Sequence, residues 1–88
     1  NMNKKCLIVF KWPIFLNKFI INKLSKFYNT EHLYISDYKN KNFSEITEEI
    51  NKYIQSKNFE IVFFDVDSIP LGCNFVEYLD EQTREIRQ

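Results

Sequence analysis

Residues 61–70, IVFFDVDSIP, place four apolar side chains directly ahead of two carboxylates, Asp65 and Asp67, and close on Pro70. Successive side chains of a strand point to opposite faces of the sheet, so a run that is apolar at every position suits a strand covered on both sides. Residues 59–66, apolar throughout their middle, read as such a strand. Lys5 to Phe10, KCLIVF, has the same character. Two strands of this kind predict a parallel sheet with helices on its faces.

The stretches between them supply those helices. Pro13 sits where a first helical turn accepts a residue without an N–H, and Leu16, Phe19, Ile20, Leu24 and Phe27 recur at three- and four-residue spacing. They predict a helix with a buried stripe and with Lys18, Asn22 and Lys26 turned away from it. HLYISDY, residues 32–38, alternates and predicts a half-exposed strand at an edge. Asn42 with Glu45 has capping-box spacing, followed by the stripe Phe43, Ile46, Ile50, Tyr53 and Ile54, an outward Glu48–Lys52 pair and a left-handed stop at Asn58. Beyond Pro70 and Gly72, Asn74 with Glu77 repeats the capping signal, and Phe75, Leu79, Gln82 or Thr83, and Ile86 form a weaker stripe, predicting a third helix.

The expected fold is therefore α/β: a three-layer, Rossmann-like βαβαβα unit over residues 1–88, with a short parallel sheet in the order 2-1-3 and right-handed crossovers. Strand order reverses at the first strand, and the crevice outside the carboxyl ends of the first and third strands holds Lys11, Trp12, Asp65 and Asp67. The third strand would be left as a bare apolar edge, a template for unwanted pairing. Either further strands follow, making the chain the amino-terminal part of a larger protein, or two copies pair as a homodimer through the strand at 59–66.

Composition narrows the function. The chain has 44% hydrophobic residues, 17% aromatic and 27% charged, which is a folded composition. A single Gly excludes the glycine-rich phosphate loops. Cys6 and Cys73 lack metal-ligand or disulfide spacing and read as reduced, buried thiols in a cytoplasmic protein. Net charge is zero but uneven: residues 1–30 carry six Lys and no acid, and residues 31–88 carry twelve acids against six bases. The basic amphipathic helix at 13–28 is the pattern of a helix packed on a sheet and also of one lying at a membrane surface, which would place the protein peripherally at the inner membrane face. Nucleic acid is not an expected partner, since there is no net positive charge and no Arg before residue 84.

The Asp-x-Asp has several readings. An Asp at a strand end commonly caps the next turn. FFDVDSIPL resembles the first motif of haloacid-dehalogenase-type phosphatases, although Ile69 stands where that family has Thr or Val and only 21 residues follow Asp67. FFDVDSIP also resembles the phosphoacceptor strand of response-regulator receivers, but Lys11 and Trp12 occupy the place of that family's acidic magnesium pair. The alternative function is thus a receiver-like, non-enzymatic signalling or interaction module. A hard cation, magnesium or manganese, would suit Asp65 and Asp67, but two carboxylates alone hold it weakly, so no cofactor is expected.

KWPIFLNKFIINKL, residues 11–24, resembles the stretch after the first strand of bacterial GT-B glycosyltransferases, with Phe19, Ile20 and Leu24 matching and Lys23 in place of an acid. The layout after it, reaching an apolar strand through KNFEIVFFD, is similar to the amino-terminal Rossmann-like domain of that fold. The resemblance implies an acceptor-side domain of a glycosyltransferase that transfers sugar from a nucleotide-sugar donor. Lys11 and Trp12 would bind a glycan or lipid-linked acceptor, and Asp65 or Asp67 would serve as general base toward its hydroxyl. It also implies a carboxyl-terminal partner domain, without which this piece is inactive. The Asp-x-Asp resembles, in addition, the metal-binding motif of GT-A enzymes.

Overall fold

The structure is a computed structural model that describes residues 4–13, 18–55, 57–65 and 75–87. Strand β1 (Lys5–Phe10) leads to helix α1 (Lys18–Leu24), strand β2 (Asn29–Tyr34), a 3₁₀ turn (Tyr38–Asn40), helix α2 (Phe43–Ile54) and strand β3 (Ile61–Asp65). Three short strands follow, β4 (Phe75–Glu77), β5 (Leu79–Asp80) and β6 (Glu85–Ile86). The fold is mixed α/β, built on a four-stranded, mostly parallel sheet in the order β2-β1-β3-β4. The expected 2-1-3 core is present, with β1 paired in parallel to both β2 and β3.

That order decides where the helices go. The chain leaves β1 for a neighbour on one side and then crosses back to a neighbour on the other, so two crossovers of the same hand put α1 and α2 on opposite faces. The side chains of β1 divide accordingly. Cys6, Ile8 and Phe10 pack with Ile20 of α1 and Ile61, while Leu7 and Val9 pack with Ile46, Ile50 and Ile54 of α2, Phe59, Val62 and Phe64. Burying one such side chain contributes about 1.5–3 kcal/mol. The α2 side buries more of them.

Helix α2 forms where its capping box predicts. The Asn42 side chain accepts from the Glu45 N–H, and the Glu45 side chain accepts from the Asn42 N–H, satisfying two amides that a bare helix end would leave open. The helix ends at Ile54 without a left-handed stop; the non-glycine residues with positive φ among those described are Asp37 and Arg84. Glu49 pairs with Lys41 at 3.1 Å, tying the helix to the loop before it. On the opposite flank the Tyr53 hydroxyl donates to Glu31 of β2, with Lys57 beside it. That carboxylate holds the Tyr53 phenol up to about 12, and the hydrogen bond keeps Glu31 below its ordinary value.

Three expectations are corrected. Phe19 and Phe27 do not belong to the buried stripe of the first helix: they are 43% and 65% exposed. The covered side is Ile20, with Ile21, Leu24 and Tyr28 half-buried beside it, a face rotated from the one the spacing suggested. The third helix is also not formed. Residues 75–77 run antiparallel along β3, pairing Phe63 with Glu77, Phe64 with Val76 and Asp65 with Phe75, and the Tyr78 N–H donates to the Val62 carbonyl at 3.3 Å. Helical hydrogen bonds there would leave the β3 edge unpaired, and an unpaired edge is the costlier arrangement.

The bare edge is the third correction, since β4 covers it. A homodimer through 59–66 would have to displace that strand. The remaining segment is a hairpin, β5 against β6, in which the Asp80 carboxylate accepts from the Gln82 and Thr83 N–H groups and Arg84 takes a left-handed conformation at φ 59°. The Ile86 N–H donates to the Asn51 side chain at 2.8 Å, docking the hairpin on α2.

Candidate functional site

At the carboxyl ends of β1 and β2 the chain makes two loops, 11–13 and 35–42, and between them lie two adjoining clefts of about 350 Å³ each. Lys11, Trp12, Tyr38 and Lys39 line both. Lys41 completes the first cleft, and Pro13, Tyr34, Asp37 and Asn40 complete the second. This is the edge at which strand order reverses about β1, the place where open α/β sheets form a crevice.

Local chemistry shapes the second loop. Asp37 adopts a left-handed conformation, φ 57° and ψ 30°, which Asp tolerates better than most residues because its short side chain bonds locally. The Asn40 amide donates to the Asp37 carboxylate, closing the turn. Lys41 donates to the Ser36 carbonyl at 3.0 Å and to Glu49 at 3.1 Å, so the loop is fastened to α2. Tyr38 turns inward, its ring edge-on to Phe64 at 6.3 Å between centroids. The Lys11 ammonium stands over the same Tyr38 ring, 5.5 Å from its centroid.

Tyr38 links the cleft to Asp65. Burial first, and then the negative charge of Asp65 and the neighbouring Tyr78 hydroxyl, push the Tyr38 phenol above its ordinary value, keeping it a protonated donor across the neutral range. Asp65 itself, at the end of β3, is fully buried and lines neither cleft. Asp67 lies outside the described residues. Of the residues singled out from the sequence, the structure thus brings Lys11 and Trp12 together on the cleft wall and sets Asp65 apart from the surface.

Tyr38, Lys39 and Lys41 escaped the sequence reading because they sit in a loop whose place beside Lys11 is set only by the parallel register of β1 and β2. The one local hint was DYKNKN, a cation-rich turn directly after a strand. The first cleft is walled by three lysines and two aromatics, and among the described residues no group of three or more His, Cys, Asp or Glu side chains stands together. No helix among the described residues is long and apolar enough to cross a membrane. Comparison with protein-family models, curated proteins and solved structures finds no match to this chain.

Proposed function

We propose that the chain is a Rossmann-like, acceptor-side domain of a glycosyltransferase, and that it binds a glycan or a lipid-linked sugar in the cleft at Lys11, Trp12 and Tyr38. The observation that supports this reading best is the wall itself. Two aromatic side chains and three lysines line a mainly apolar crevice at the strand-order reversal, a lining that fits sugar rings by stacking and an attached phosphate by charge. Tyr38, held protonated, supplies a hydroxyl donor to a ring oxygen. Asp65 acts through Tyr38 while it stays buried; to serve as general base it would have to meet the acceptor hydroxyl directly, which requires the cleft to open on binding. Donor binding belongs to a carboxyl-terminal domain in this reading, and a magnesium or manganese ion at Asp65 and Asp67 is not favoured.

Trp12 is the sole tryptophan of the chain, so its fluorescence reports the cleft without labelling. Titration with a panel of neutral oligosaccharides and of sugar phosphates is expected to give a saturable change with at least one of them, lost in Tyr38→Ala and weakened in Lys11→Gln. Flat titrations across the panel to millimolar concentration would remove the proposal. Binding of another protein at this surface with no response to any sugar would favour the receiver-like interaction module instead.

A further inference from the structure

The outer sides of the two helices differ sharply in charge. Helix α1 and the turn after it expose Lys18, Lys23 and Lys26, and residues 1–30 contain no acid at all. Phe19 lies in the middle of this basic surface, three, four and seven residues from Asn22, Lys23 and Lys26, the spacings that share one helix face. The hydrogen bonds from the Ser25 N–H to Ile21 and from the Tyr28 N–H to Leu24 carry the helical path on to Phe27, which is more exposed still. On the same side of the sheet, β2 adds His32 and Tyr34, register partners of Ile8 and Phe10, and both are exposed.

The other face is the reverse. Helix α2 exposes Ser44, Glu45, Glu48, Glu49 and Lys52, three carboxylates against one amine, with its large apolar residues buried or half-buried. The outer side of α1 is thus basic and carries aromatic rings, and the outer side of α2 is mainly acidic.

We infer that the α1 face docks on an anionic lipid surface. Exposed phenylalanines among lysines match the two parts of such a surface, acyl boundary for the rings and headgroup charge for the ammonium groups. The carboxylates on the outer side of α2 would be repelled, which favours docking through α1. Self-association of α1 against α2 of a second copy would satisfy the charges but gives Phe19 and Phe27 no apolar seat, since the outer face of α2 offers none. This inference does not depend on the glycosyltransferase reading.

The test is sedimentation of the chain with phosphatidylcholine vesicles, with and without a phosphatidylglycerol fraction. Binding is expected only with the anionic lipid, falling steeply with salt. Replacing Lys18, Lys23 and Lys26 with Gln should weaken it about a hundredfold, near fivefold for each charge brought to the surface. Phe19→Ser with Phe27→Ser should weaken it by a comparable factor while leaving the salt dependence in place. Glu45→Gln with Glu48→Gln, on the far face, should leave it intact. All these positions are exposed, and circular dichroism of each variant verifies folding. The inference is overturned by equal binding to neutral vesicles, by absence of binding to both, or by indifference to the Lys and Phe changes. It is likewise overturned if the α1 and α2 variants both abolish a concentration-dependent assembly seen by sizing and no vesicle binding accompanies it.

Discussion

Helices α1 and α2 cover opposite faces of one sheet with very different commitment. Over twelve residues, α2 is capped at its start, latched to β2 through Tyr53 and Glu31, and buries Ile46, Ile50 and Ile54. Over seven, α1 fully buries Ile20 alone and turns Phe19 toward solvent. The contrast separates two uses of apolar residues at helical spacing. On α2 they hold the domain together; on α1 a share of them is left for something else.

The largest effect that would break this comparison is a matched pair of cavities. Ile50→Ala should cost about 4 kcal/mol and Ile20→Ala about 2 kcal/mol in urea unfolding, because Ile50 is enclosed by the richer cluster. Equal costs, or the reverse order, would show that the α1 side is as firmly packed as the α2 side.

A pH scan probes the α1 side from beneath. Cys6 is fully buried there, and burial pushes its thiol from 9.0 up to about 11. The unfolded chain gives up that proton first, so stability is whole below pH 9 and declines as pH rises toward 11, by about 2 kcal/mol. The difference between the chain and Cys6→Ala isolates this ionisation from the tyrosines. A flat difference across that window would mean that water reaches the thiol under α1.

Smaller again is the cap. Asn42→Ala should lower stability by about 1 kcal/mol through loss of the Glu45 amide's acceptor, with Asn42→Gly intermediate. At the small end, Phe27→Ser should change stability by no more than about 0.5 kcal/mol in either direction, because little of the ring is covered. A large loss at Phe27 would place that ring in the core after all and would remove the difference between the two helices.

The parallel core was legible for simple reasons. Residues 6–10 and 61–64 are apolar at every position, which suits a doubly covered strand, and Asn42 with Glu45 announces α2 by chemistry confined to four residues. Lys11 and Trp12 stand on the cleft wall because they directly follow a central strand. Those features belong to the sequence by itself: each rests on neighbours along the chain, or on a handedness rule that holds for any chain.

What the tertiary structure decided depends on groups far apart in sequence. Residues 75–77 carry a helical cap signal and still become a strand, because the open N–H and C=O groups of β3 outweigh a local preference. Phe19 and Phe27 fit a buried stripe by spacing, yet the helix is rotated so that Ile20 faces β1, and periodicity fixes a stripe's width without fixing which edge of it the sheet covers. Tyr38 and its lysines join Lys11 only through the register of β2 on β1. The exposed lysines of α1 and the exposed carboxylates of α2 lie on opposite faces only because both crossovers share one hand while running in opposite directions from β1.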